Sequence, residues 1–192
     1  MKRLKHLDFK RKRLGLTNYK KRLTLLKSRL PRLVVRRSNK YLTAQIVLFN
    51  AKGDNVLLTV TSKALDKYGW SLSKKNLPAA YLTGLIIGRK ALSKGVKKAI
   101  LDIGRFVSTK GNRFYALVLG AKHAGLEIPC SMQVDEDRVK GLHISEFYGK
   151  VLQGTVNVST SQFSKYKENN LKPDQIQALF ENVKQKILNE AK

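Results

Sequence analysis

The sequence predicts an α/β domain built on a mixed sheet, and three observations carry that prediction. Three β-rich runs, Arg32 to Arg37, Tyr41 to Phe49 and Val56 to Thr61, follow one another across short turns, the pattern of three sequential antiparallel strands. Two helical segments then alternate with two short apolar runs. The resulting strand, helix, strand, helix, strand order implies right-handed parallel crossovers. At 192 residues and 42% hydrophobic content, the chain can bury one such core and still carry appendages.

In chain order, residues 1–16 form a basic arm around Lys10-Arg11-Lys12-Arg13. It has too few apolar positions to bury itself, so on its own it is expected to be disordered and to order on a polyanion. From Thr17, read as an N-cap, the residues Tyr19, Leu23, Leu26 and Leu30 recur at helical spacing until Pro31 stops the helix. Its other face carries Lys20, Lys21, Lys27 and Arg29. Ser38-Asn39-Lys40 turns the first hairpin and gives it a basic tip, and Lys52-Gly53-Asp54-Asn55 makes the second turn.

The period then changes. Asn76 to Lys94 reads as an apolar helix with Pro78 as an N1-type proline and Gly95 ending it at the C′ position. Ala99 to Ile103 follows as a short buried strand. Gly111 to Gly125 is a second helix, with Phe114, Leu117, Val118 and Ala121 on one face, and Leu126 to Pro129 is the closing strand candidate. Beyond Ser131 the composition turns polar, leaving Ile144 to Leu152, of undecided type, and a helix from about Pro173 to Asn189. The expected organisation is an arm (1–16), an α/β core with its leading helix (17–130) and a partly helical C-terminal extension (131–192).

Charge dominates the composition. Thirty-nine Lys and Arg stand against 13 Asp and Glu, a net charge of +26. Met1 to Lys40 holds 16 of the cations against the single acid Asp8, a net +15, which leaves +11 for the rest of the chain. A charge run is usually only a solvated face, but self-repulsion this dense opposes compaction unless an anion offsets it, which points to nucleic acid. RNA is favoured over DNA because no helix-turn-helix, zinc finger or basic zipper pattern is present, and arginine-rich segments that fold on structured RNA need none.

Three places could meet that RNA. The arm and leading helix offer cations to phosphates. Arg36, Arg37, Ser38, Asn39 and Lys40 gather guanidinium forks, a hydroxyl and an amide within one turn, although an ordinary polar turn would look the same. Thr109-Lys110-Gly111-Asn112-Arg113 lies where a strand gives way to a helix N-terminus, suited either to cradling a phosphate or to simple capping.

Other chemistries are poorly served. Gly84 to Lys90 has the outline of a Walker loop, but only three residues separate its glycines and Ala91 stands where Ser or Thr must bind magnesium, so helix packing is the better reading. Cys130 is the only cysteine, and His6, His123 and His143 are scattered singly, so no disulfide, structural metal or cofactor is expected. No apolar stretch follows the basic start, which argues against export, and the longest apolar run, Ala79 to Ile87, falls short of the roughly 20 residues of a membrane span. Without export the sequon Asn157-Val158-Ser159 is a chance match. A two-metal nuclease needs converging carboxylates. Arg32 to Arg37 carries none, and Asp102, ending a later strand with no evident carboxylate partner, is expected to accept backbone N–H groups from the next loop. No catalytic residue is assigned.

Several motifs occur in one order: Pro31-Arg32-Leu33-Val34-Val35-Arg36-Arg37-Ser38-Asn39-Lys40, Tyr68-Gly69-Trp70, Pro78-Ala79-Ala80-Tyr81-Leu82-Thr83-Gly84, Leu101-Asp102-Ile103-Gly104 and Ala124-Gly125-Leu126-Glu127-Ile128-Pro129. Together they resemble the family of large-subunit ribosomal protein eighteen, from about Arg13 to Ile144, in its long archaeal and eukaryotic form. The resemblance implies a three-layer core of the ribonuclease H-like type, with the arm and leading helix lodged against 5S rRNA. It further implies a structural rather than enzymatic role in the cytoplasmic ribosome, attaching 5S rRNA to the large-subunit rRNA in the central protuberance. Neighbouring large-subunit proteins, including another 5S-binding protein, would be its partners. Carried over by position, the RNA contacts would include Arg11, Lys12, Arg13, Tyr19, Lys20 and Arg22 in the arm and helix. The others would be Arg36, Arg37, Ser38, Asn39 and Lys40 at the hairpin tip, and Thr109, Lys110, Gly111 and Arg113 before the second core helix.

Overall fold

The meander forms as its turns dictate. In the computed structural model, which describes residues 7–131, 133–155, 163–169 and 172–190, strands β1 (Arg32–Arg37), β2 (Leu42–Leu48) and β3 (Asn55–Thr61) pair antiparallel in sequence, with a bulge at Ile46/Val47. Strand β4 (Ile100–Asp102) adds parallel to β1, giving a mixed four-stranded sheet in the order β3-β2-β1-β4. His6 and the sequon at Asn157 lie outside the described residues.

The second parallel crossover is reduced to one bridge. Leu126 to Pro129 was expected to close the sheet, but only Glu127 pairs, with Lys98 just ahead of β4. Pro129 has no N–H to give a ladder, and the run before it is too short to extend the pairing.

Alternation along β1 and β2 sorts their side chains between two faces. Leu33, Val35, Leu42, Ala44 and Ile46 are fully buried on one face, which belongs to the main core with α3 (Leu77–Ser93) and α4 (Arg113–His123). Asn76 caps α3 by accepting the Ala79 N–H at 2.9 Å, and Gly95, at φ 77°, ends it, as the sequence indicates. The two helices cross backbone to backbone: a Cβ on Gly84 would lie 2.0 Å from the Leu117 carbonyl oxygen, and one on Gly120 would lie 2.1 Å from that of Tyr81. The glycine run with a Walker outline is therefore a packing seam.

Val34 and Val47, on the opposite face, are also buried, beneath α2 (Tyr19–Leu26). This helix is shorter than expected. Its cap is Asn18, whose side chain accepts the Lys21 N–H at 3.0 Å, while Thr17 accepts from the Arg11 guanidinium instead. It stops well before Pro31 because the Ser28 hydroxyl takes the Leu25 carbonyl and accepts the Leu30 N–H, after which Arg29 turns left-handed at φ 55°. Ahead of it, Lys10–Arg13 form one helical turn, α1, with no buried residue. Contacts from outside hold the turn: the Phe9 and Tyr19 rings lie 5.3 Å apart, and Arg105 donates to the Gly15 carbonyl.

A 3-10 helix, Ser62–Tyr68, leads into the fully buried Trp70, and no sequence period announced it. The extension holds more helix than expected: α5 (Glu136–Lys140), α6 (Leu142–Leu152), α7 (Ser164–Glu168) and α8 (Gln175–Asn189). Helices of five residues offer too few turns for a period to show. In α8, Ile176, Phe180, Val183 and Ile187 are buried at helical spacing and join the main core, and Arg89 of α3 donates to the Ile187 carbonyl at 2.8 Å.

Candidate nucleic-acid interface

Adjacent strand positions point to opposite faces, so Arg36 and Arg37 at the end of β1 have different fates. Arg36 turns toward β4 and donates to the carbonyls of Val35 and Asp102, both at 2.8 Å, and to the Asp102 carboxylate at 3.4 Å. Arg37 lies over the Phe106 ring, 4.9 Å from its centroid. Ser38, expected to offer its hydroxyl outward, closes the turn: it donates to the Tyr41 carbonyl at 3.0 Å and accepts the Tyr41 N–H at 2.9 Å. Asn39 and Lys40 stand exposed at the tip.

At the start of α4 the capping geometry is what forms. The Asn112 side chain accepts the Phe114 N–H at 3.5 Å and reaches the Thr109 hydroxyl at 3.3 Å. Thr109 and Lys110 are exposed beside the cap, and Gly111 provides the left-handed turn at φ 67°. Arg113 donates to the Lys75 carbonyl at 3.0 Å, and the Lys75 ammonium donates to the Asn39 carbonyl at 3.1 Å. Lys75 thus ties the hairpin tip to the α4 N-terminus. Burial and then the charge of Arg37 push the Arg113 pKa down, the mark of a cation held beside another cation.

The arm reaches the same end of the sheet. Lys21 donates to the Gly104 carbonyl at 3.1 Å, and Arg105 to that of Gly15, so α2 and the arm rest on the loop that follows β4. Arg11, Lys12, Arg13 and Lys20 are exposed, with Lys12 paired to Asp8 at 2.7 Å, and the Tyr19 ring packs tilted against that of Phe9. Arg22 turns inward to Asp54 at 2.8 Å. The three sequence candidates therefore share one end of the molecule, but Arg22, Arg36 and Ser38 are engaged within the fold.

Beneath α2 runs an ion network that the sequence reading did not assemble. Arg32, only 3% exposed, donates to Asp102 at 2.9 Å and to Asp54 at 2.7 Å. Burial alone would raise the Asp54 pKa, but the hydrogen bonds and charges of Arg32 and Arg22 outweigh it and hold the carboxyl below its ordinary range. Asp102 accepts the Gly104 N–H at 2.8 Å, the loop-holding role expected of it. It does have a carboxylate neighbour, Asp54, with the Arg32 guanidinium bonded to both and Arg22 and Arg36 each pairing with one, so side chains of the fold neutralise the two acids. Arg32, Lys75 and Arg105 lie outside the sequence candidates, whereas Lys21 belongs to the basic face of the leading helix. The shared parity of Arg32 and Arg36 on one strand was the available signal for Arg32.

Among the described residues no group of three or more His, Cys, Asp or Glu could hold a metal, and no helix is long and apolar enough to cross a membrane. The family model for ribosomal large subunit proteins 60S L5 and 50S L18 matches residues 2–97. The large ribosomal subunit protein uL18 of Korarchaeum cryptofilum is 48% identical over 184 residues, covering 94% of this chain and 93% of the relative. That of Sulfurisphaera tokodaii is 43% identical, with 94% and 93% covered, and that of Caldivirga maquilingensis is 43% identical, with 95% and 89% covered. Matched along nearly its whole length, the chain belongs to the family of ribosomal large subunit proteins 60S L5 and 50S L18, which are structural proteins of the ribosome and not enzymes.

Proposed function

We propose that the protein holds 5S rRNA against the large-subunit rRNA in the central protuberance of the cytoplasmic ribosome, next to another 5S-binding protein. One observation carries the reading: the arm, the hairpin tip and the α4 N-terminus are joined into one cationic end by Lys21 on Gly104, Arg105 on Gly15, and Lys75 on Asn39. Phosphates on a folded RNA call for cations on one side of a fixed frame, because each contact releases counterions and frame rigidity selects the RNA shape. The contacts we assign are Arg11, Lys12, Arg13, Tyr19 and Lys20, then Arg37, Asn39 and Lys40, then Thr109, Lys110, Gly111 and Arg113. Arg22, Arg36 and Ser38 support them from behind. We read the core as ribonuclease H-like, a reading supported by the strand order β3-β2-β1-β4 with β4 parallel to β1. Residues 1–16 act as the arm, and residues 131–192 as an extension whose last helix packs on the core.

The test is a titration of labelled 5S rRNA and of an unrelated structured RNA of similar length with full-length protein across a salt series. The expected result is a preference for 5S rRNA of about tenfold or more at physiological salt. Equal affinity for both RNAs at every salt would overturn the proposal in favour of a general RNA chaperone.

A further inference from the structure

Between α2 and the outer face of the sheet lies a cleft of about 280 Å³. Six cationic side chains line it, Arg11, Lys21, Arg22, Arg32, Arg36 and Arg105, against only two carboxylates, Asp54 and Asp102. The carboxylates pair with Arg32, Arg22 and Arg36. Arg11, Lys21 and Arg105 donate instead to neutral acceptors: the Thr17 hydroxyl and the carbonyls of Gly104 and Gly15. The cleft therefore carries a surplus of positive charge concentrated on those three residues.

Two further features favour an anion there. The N-terminal turn of α2 opens beside the cleft through Asn18. It holds no acid, and Lys20, Lys21 and Arg22 oppose the helix dipole. In the wall, Arg32 is 3% exposed and its Nε is buried without a hydrogen-bond partner, a cost that a second compensating group would reduce.

We propose that this cleft is a phosphoryl-binding site, in which one phosphoryl group is clamped by Arg11, Lys21 and Arg105 and so fastens the arm, α2 and the loop after β4 to one another. A planar fork from Arg11 and from Arg105, together with the Lys21 ammonium, suits the tetrahedral oxygens of a phosphoryl group. The group is either a backbone phosphate of the bound RNA, in which case the site rests on the RNA-binding reading above, or a free polyphosphate.

Calorimetric titration of the full-length chain with inorganic tripolyphosphate, at constant ionic strength, tests the site. One saturable equivalent is expected. The doubly substituted Lys21→Gln, Arg105→Gln protein should bind about tenfold more weakly, whereas Lys67→Gln, Lys150→Gln, which removes the same charge from distant exposed positions, should bind as the parent does. Absence of a saturable equivalent, or equal weakening in both variants, would overturn the proposal. Repeating the titration on the preformed 5S rRNA complex separates the two sources. If the equivalent is lost, an RNA phosphate fills the cleft, and if it is kept, the ligand is a free polyphosphate. A cleft that fails while the parent still prefers 5S rRNA would leave the proposed function standing and remove only this site.

Discussion

Arg32 and Asp102 form an ion pair of 2.9 Å whose side chains are 3% and 8% exposed, joining the first residue of β1 to the last of β4. The register explains it: Asp102 pairs with Val34, so the carboxylate lies on the face shared by Arg32, Val34 and Arg36, under α2. Removing one partner strands the other, since a buried charge without its counter-ion keeps the whole desolvation penalty. Asp102→Ala should destabilise the protein by about 3–5 kcal/mol in urea unfolding. A loss below about 1 kcal/mol, the value of a surface pair, would show the network to be ornamental.

Acid should loosen the same network. The folded pKa of Asp54 lies below its ordinary value of 3.8, so the group contributes stability that is fully present above that value and is lost as pH falls through the folded pKa. Thermal midpoints should therefore drop as the solution is taken below about pH 4. Asp54→Asn should be less stable at neutral pH and should show a shallower acid decline, measured by calorimetry across that range. An unchanged acid slope in the variant would assign the decline to other carboxylates.

The α3–α4 seam has no room for a methyl group. Gly84→Ala places Cβ against the Leu117 carbonyl oxygen, and Gly120→Ala against that of Tyr81, both of them backbone atoms that no rotamer change can move. Each should cost at least about 2 kcal/mol, since overpacking here forces the helices apart. Gly149→Ala, where a Cβ meets nothing within 4 Å, serves as the control and should be neutral or slightly stabilising.

Ser38 and Lys40 are close in sequence but should behave oppositely. Ser38→Ala removes the two side-chain hydrogen bonds of the hairpin turn, leaves the backbone bond from the Ser38 N–H to the Tyr41 carbonyl, and should cost about 1 kcal/mol of stability with little change in RNA affinity. Lys40→Ala should leave stability within about 0.5 kcal/mol and lower the salt slope of RNA binding by roughly one. Filter binding over a salt series, beside urea unfolding, separates the two.

These contrasts mark where the sequence was legible. Periodicity and turn chemistry placed β1 from Arg32 to Arg37 and set α3 between its Asn76 cap and Gly95, because those signals are local. Gly84 could be read as packing because the Walker spacing failed, whereas its counterpart Gly120 carried no such signal. What depends on register stayed hidden: Arg32 meeting Asp54 and Asp102, or Lys75 meeting Asn39, follows only once strands and loops are aligned. The partners of Ser38 and Arg36 within the fold stayed hidden for the same reason. A polar residue in a basic turn looks available until its partners at Tyr41 and Asp102 are in place. The Leu126 to Pro129 strand failed at the sheet edge, where one proline outweighs apolar composition.

On the proposed function, the arm, the hairpin tip and the α4 N-terminus meet RNA as one face. Lysine acylation of the full-length protein, free and bound to 5S rRNA, tests it most directly. Lys12, Lys20, Lys40 and Lys110 are exposed in the fold and should all lose reactivity together on binding, while the exposed Lys67, Lys140 and Lys150 should keep theirs. Protection confined to the arm, or spread evenly over both sets, would contradict a single face and leave only charge attraction.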